Sequence, residues 1–186
     1  MYYQNNKVEP VMRHLNIDMS ELELAFEGGF EMISYYLDLD TGEVISVSEE
    51  ARNVLDTIYE SYYDEQTRVV DWEGAFENER VPDWQRELVQ DADRAEAGLG
   101  VTIIAIPSES SLEGYDDMEA FIETVRNPHL KECLKRAIDR HGPFRNFKDV
   151  LLDYPSERER WFRFKRERLQ SRILEWLEEY GITTQQ

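Results

Sequence analysis

Met32-Ile33-Ser34-Tyr35-Tyr36-Leu37-Asp38-Leu39-Asp40-Thr41-Gly42-Glu43-Val44-Ile45-Ser46-Val47 is the stretch that decides the fold class. Ile33, Tyr35, Leu37 and Leu39 recur every second residue, which puts them on one face of a strand. Asp40 to Glu43 is made of residues that favour a turn. Val44 to Val47 is a short β-branched return, so 32–47 is expected to be a β-hairpin. One other run has the same character. Val101-Thr102-Ile103-Ile104-Ala105-Ile106 is bounded by Gly100 and Pro107, and it is expected to be a buried strand pairing with the hairpin.

The flanking chain reads as helix. Ser20 with Glu23 has capping-box spacing, and a short helix through Leu22, Ala25 and Phe26 is expected to stop at Gly28-Gly29. Ser48 precedes a stripe of Ala51, Val54, Leu55, Ile58, Tyr59 and Tyr62, which repeats at the helical period. Residues 64–81 are irregular, with a short strand expected at Thr67–Asp71. Pro82 stands where a first helical residue belongs, and Trp84, Leu88, Ala92 and Ala95 mark a helix ending at Gly98. Beyond Pro107 everything is helical in pattern. Asp116 with Glu119, Asn127-Pro128, and Ser156 with Glu159 are the expected helix starts, with Phe144, Phe147, Val150 and Leu151 on a shorter helix between the last two. The final helix is the longest, from about Glu157 to Tyr180. This order specifies an α+β fold: a small antiparallel sheet (hairpin 32–47 plus strand 101–106) packed by helices, with a helical C-terminal half. Residues 1–17 read as an arm, and 18–182 as a single α+β domain.

Composition bounds the function. With 41% apolar and 12% aromatic residues the chain can build a core. No apolar run approaches the ~20 residues that span a bilayer, and the N-terminus lacks the hydrophobic region of a signal peptide, so a cytoplasmic protein is expected. Cys133 is the single cysteine; it can form no intramolecular disulfide. Its place beside Leu130 and Leu134 suits a buried, inert thiol. His14, His129 and His141 are scattered and show no zinc constellation. Asp40-Thr41-Gly42 matches the aspartic-protease triplet, but in a hairpin turn these are ordinary turn residues, and a dyad needs a second carboxylate against the first. Asp38, Asp40 and Glu43 lack the remaining ligands of a calcium loop. Neither Gly28-Gly29 nor Gly98-Leu99-Gly100 has the lysine or spacing of a phosphate loop. No cofactor is implied, and no catalytic constellation is nominated.

Certain motifs carry a resemblance. Ile104-Ala105-Ile106-Pro107, Tyr115-Asp116-Asp117-Met118-Glu119-Ala120-Phe121 and Gly142-Pro143-Phe144-Arg145-Asn146-Phe147-Lys148-Asp149 are the main ones. Trp161 to Phe164 and Glu175-Trp176-Leu177 extend them. Tyr35 to Asp38, Thr41 to Glu43 and Pro82 to Trp84 resemble the N-terminal part of the same pattern. Together they resemble an uncharacterised bacterial protein family, number 0158 of its series, over about residues 20–180. Pro143 and Asn146 replace a small and a basic residue of that pattern. The resemblance implies no reaction and assigns no catalytic residue.

Charge is the feature with functional content. The net charge is −19, yet residues 1–100 hold 7 Lys and Arg against 24 Asp and Glu, while 101–186 hold 14 against 16. Within 135–172 the count is 12 basic against 6 acidic. On a helical projection Phe162, Leu169, Ile173, Trp176, Leu177 and Tyr180 form a core stripe. Trp161 and Phe164 point elsewhere, among Arg160, Arg163, Lys165, Arg168 and Arg172. Two readings compete. In one, the arginines pair with Glu159, Glu167 and the acidic N-terminal half; this is favoured because acidic partners are abundant. In the other, Arg145, Lys148, Trp161, Arg163 and Phe164 form an interaction surface. The expectation for the whole protein is a non-enzymatic module that binds a protein partner through its charge asymmetry. The alternatives are nucleic-acid binding through residues 144–172 and an acidic half that mimics nucleic acid.

Overall fold

Asp38 organises the hairpin. Its side chain accepts the backbone N–H groups of Asp40 at 2.8 Å and Thr41 at 3.1 Å, and its own N–H donates to Glu43 O at 2.9 Å. This closes the turn that holds Asp40-Thr41-Gly42. The computed structural model describes residues 12–28 and 32–184. Strand β2 (Ile33–Asp38) pairs antiparallel with β3 (Val44–Ser48). On its other side β2 pairs antiparallel with β6 (Ile103–Ala105), so the sheet order is β3-β2-β6. The fold is α+β with a helical C-terminal half, as the hairpin reading requires.

The chain forms two compact units, one within Met1–Pro107 and Gly181–Gln186, the other Ser108–Tyr180. The expected single domain, 18–182, spans the second unit and most of the first. In the first unit both sheet faces are covered. Tyr36, Ile45, Val47 and Ile103 share one core with helices α2 (Glu49–Tyr62), α3 (Trp72–Asn78) and α4 (Asp83–Gly98). Leu37 and Ile104, opposite each other in the register, are buried on the other face. The alternation Ile33, Tyr35, Leu37, Leu39 therefore identifies the strand, but the large core takes Tyr36.

Helix starts follow local hydrogen bonds. Ser48 Oγ caps α2 by accepting from Ala51 N at 3.1 Å. Helix α1 (Met19–Glu27) is capped by Asp18, which accepts from Ser20 N and Glu21 N, so it begins earlier than the Ser20–Glu23 spacing implies. Strands β4 (Tyr63–Asp64) and β5 (Val69–Val70) make a small ribbon ahead of α3. Strand β1 (Arg13–Leu15) pairs in parallel with β7 (Ile182–Thr184), with Leu15, Ile17 and Ile182 buried. That part of the expected arm is thus held by the other end of the chain; residues 1–11, like Gly29, lie outside the described residues.

The second unit is helical. It comprises α5 (Ser111–Thr124), α6 (Pro128–Ile138), α7 (Pro143–Leu151) and α8 (Pro155–Glu179). Ser110 and Glu113 cap α5 reciprocally, six residues before the expected Asp116–Glu119 start. The Ser110 N–H donated to Glu113 holds that carboxyl below its usual range. Helix α8 starts at Pro155, without the expected Ser156–Glu159 box. Met118, Phe121, Ile122, Leu130, Leu134, Phe147, Leu151 and Trp161 form the core. Its centre is aromatic: Trp161 meets Phe147 edge-on at 4.9 Å and Phe121 at 5.2 Å. Among the described residues no helix is long and apolar enough to cross a membrane.

Candidate interaction surface

Helix α8 presents two faces, and the island of basic charge is distributed between them and the solvent. Trp161, Phe164, Lys165, Arg168 and Arg172 stand at i, i+3, i+4, i+7 and i+11, on one face. The start of that face is apolar. Trp161 is 5% exposed, and Phe164 is half-buried with its ring 5.6 Å from Phe121. These two expected surface aromatics are packing residues: Phe121 and Phe147 meet Trp161, and Phe121 and Trp161 meet Phe164. A second face carries Leu169, Ile173, Trp176 and Leu177, all buried, whereas Phe162, at the start of that stripe, is 52% exposed.

The charged end of the first face is an ion network. Asp117, fully buried on α5, accepts from Arg168 Nε at 2.8 Å and from Arg172 Nη1 at 3.0 Å. Glu109 accepts from Arg172 Nη2 at 2.6 Å and pairs with Lys165 Nζ at 2.9 Å. Arg160 is also engaged, with Glu157 at 2.7 Å and Thr124 Oγ1 at 3.0 Å, and its guanidinium lies 4.7 Å from the Phe121 ring centroid. The arginines do pair, but with Glu109, Asp117 and Glu157 of their own unit. The i,i+4 pairs expected of Arg163 with Glu159 and Glu167 are not formed.

What is left exposed is a smaller set. Arg145 is almost fully exposed, with Asp149 at 3.8 Å, a separation worth little in water. Lys148 and Arg163 are exposed, and among the described residues neither has a carboxylate within ion-pair distance. The structure adds residues that the helical projection assigns to the core or passes over. Phe162 is exposed, Arg158 sits over its ring at 5.6 Å, and Arg166 is exposed one turn further on. Arg158, Phe162 and Arg166 are spaced i, i+4, i+8, a signal visible in the sequence once Phe162 is released from the core stripe. Phe144, 39% exposed, lies against Gly114, where a Cβ would come within 3.0 Å of its ring.

Two clefts flank α6. The larger, about 570 Å³, is lined by Asp116, Glu119, Glu123, Lys135 and Asp139 among others. Hydrogen bonds from Lys131 and Lys135 hold the Glu123 carboxyl down to about 2, the wrong direction for a general acid at neutral pH. The smaller, about 360 Å³, is lined by Cys133, Arg136, Arg140, Asn146 and Asp149 among others. Cys133 is half-buried rather than sealed in the core, with Sγ 3.7 Å from His129 Nε2. Among the described residues no group of three His, Cys, Asp or Glu is placed to hold a metal ion.

Comparison with known proteins agrees with the motifs. The pattern of an uncharacterised protein family (UPF0158) matches residues 77–185. A curated relative, the UPF0158 protein PA5073 of Pseudomonas aeruginosa, is 29% identical over 171 residues, covering 92% of this chain and 87% of the relative. No solved structure matches.

Proposed function

The chain belongs to the uncharacterised protein family UPF0158, and from that premise, which names no reaction, we propose that it is a non-enzymatic module that binds an acidic protein partner through its second unit. One observation carries this reading. Lys165, Arg168 and Arg172 are neutralised inside the unit, yet Arg158, Arg163 and Arg166 stay in solvent, and Arg158 lies over the exposed ring of Phe162. Cations that served only to offset the acidic residues would be expected to pair as their neighbours do. An exposed aromatic with arginine over its ring has the composition enriched at interface centres. The test is a pull-down from native cells with and without nuclease, using the wild type and a triple variant R158E/R163E/R166E. A protein retained through nuclease treatment and lost with the triple variant supports the reading. Capture that the variant leaves unchanged overturns it.

A second reading has its own observation. Phe162 with Arg158 offers a ring for a base and a cation for a phosphate, the pairing used by single-strand binders. It predicts RNA or DNA binding that falls steeply with salt and is lost in the same variant. The charge of −19 opposes it at long range, as it opposes an acidic protein, but nucleic acid carries the denser negative charge. Loss of the captured partner on nuclease treatment would favour it over the protein reading.

A further inference from the structure

Helix α4 buries the wrong residues for its own stability. Trp84 and Leu88, one turn apart, are the large apolar residues of its first half, and they are 67% and 37% exposed. The helix instead turns Gln85 and Val89 inward beside Ala92 and Ala95. Gln85 is buried only because its amide Nε2 donates to Glu50 at 3.2 Å. A helix selected for burial alone would place Trp84 in the core and Gln85 in water. Departures of this kind are expected where a surface has a task.

The surroundings of the pair say what would cover it. Trp84, Glu87, Leu88 and Asp91 stand at i, i+3, i+4 and i+7, so two carboxylates share the ridge with the two apolar side chains. The nearby cations are engaged: Arg86 with Asp83 at 3.3 Å, and Arg94 with Glu43 at 2.9 Å and Asp91 at 3.3 Å. Burial raises the Asp91 carboxyl above its usual range, and Glu43 and Glu87 add to the effect while Arg94 opposes it. The segment 1–107 holds 24 acidic against 7 basic residues. The face is thus an apolar ridge in a strongly negative field. Nucleic acid and anionic lipid are repelled by it. A second copy meeting it with the same unit would be repelled as well.

We infer that the Trp84–Leu88 face of α4 is the docking site for a basic amphipathic helix of a partner protein, whose apolar side covers Trp84 and Leu88 while its lysines or arginines meet Glu87 and Asp91. This is helix-on-helix recognition read through i, i+4 anchors, with charge fixing the partner class. It is independent of the arginine strip on α8.

The full chain carries its own reporter. Of its tryptophans, Trp161 and Trp176 are buried and Trp72 is half-buried, leaving Trp84 as the most accessible. The probe is a synthetic 18-residue helix with leucines at i, i+3, i+4, i+7 and lysines elsewhere. The control has the same composition, scrambled to remove the apolar face. The expected result is a blue shift of tryptophan emission and protection from acrylamide with the amphipathic probe, at least about tenfold tighter than the control. L88A and the pair E87Q/D91N should each weaken it about tenfold, and W84A should abolish the signal. Unchanged thermal melting would establish that these substitutions leave the fold intact. R158E/R163E/R166E should bind the probe like wild type, so this inference and the proposed function can fail separately. Equal binding of the scrambled control would reduce the face to a non-specific acidic surface and overturn the proposal. So would indifference to L88A, or concentration-dependent self-association that protects Trp84 without any peptide.

Discussion

Both oxygens of the buried Asp117 carboxylate face the Arg172 guanidinium, with Nη1 at 3.0 Å from Oδ1 and Nη2 at 3.1 Å from Oδ2. Arg168 binds the same carboxylate at 2.8 Å, and Glu109 draws Arg172 from the other side at 2.6 Å. The arrangement ties α8 to α5 beyond the end of their aromatic contact. Bidentate, charge-assisted bonds of this kind are strong, but removing one member leaves a charge without its partner.

Asp117→Ala should therefore destabilise the protein by roughly 3–5 kcal/mol. Urea unfolding followed by circular dichroism measures this. Glu109→Ala should cost less, because Arg172 keeps Asp117 and Lys165 can reach water.

Neighbouring aromatics on α8 should behave oppositely. Trp161→Ala removes the ring at the centre of the second unit's core and should cost roughly 3–5 kcal/mol. Phe162→Ala, at an exposed position, should stay within about 0.5 kcal/mol. Parallel thermal melts distinguish them. A reversal would mean that Phe162 is the core residue.

The hairpin turn should tolerate substitution less than an open one. Gly42 has φ +80° and a Cβ there would sit 2.7 Å from the Asn16 carbonyl oxygen, whereas Gly100 has φ +79° and nothing within 4 Å. Gly100→Ala should cost about 1–2 kcal/mol of backbone strain. Gly42→Ala should cost more, because the obstructing atom is backbone and must move with the segment before α1. The difference in melting temperature between the two variants is the measurement.

Tyr59 provides a pH signature. Its hydroxyl donates to Asp93, and that bond, with burial and the nearby negative charge, raises its ionisation to about 12 from 10. The protonated form is the one that bonds. The stabilisation is whole below pH 10 and is lost as pH rises through about 12. A spectrophotometric titration should show a phenolate forming near pH 12 that is absent in Tyr59→Phe. If the wild-type and variant curves differ only near pH 10, the bond to Asp93 is not formed in solution.

Elements whose signal is local were legible in advance. The hairpin, the β6 partner, the Ser48 and Asn127 caps and the stripe of α2 all follow from period and turn chemistry between near neighbours. Boundaries shifted where two residues could serve as a cap: Asp18 outcompetes Ser20, and Ser110 with Glu113 outcompetes Asp116 with Glu119. Helix α3 escaped notice because its seven residues bury only Ala75 and Phe76, too little for a period. The candidate surface was legible in part. Arg145, Lys148 and Arg163 are exposed, while Trp161 and Phe164 are not, because a helical projection draws one buried stripe and α8 has two.

The sequence by itself determined the α+β class, the family, the hairpin with its tight turn, and the uneven charge, since each rests on residue type and short-range spacing. Tertiary structure decided which face of each helix is covered and which charges are cancelled. Both depend on what a neighbouring element presents. Phe121 and Phe147 turn Trp161 into core, Asp117 pairs with Arg168 and Arg172, and Glu50 lets Gln85 be buried while Trp84 stays in solvent. That last exchange leaves an apolar ridge among carboxylates, which no pattern along the chain could have set apart from a core stripe.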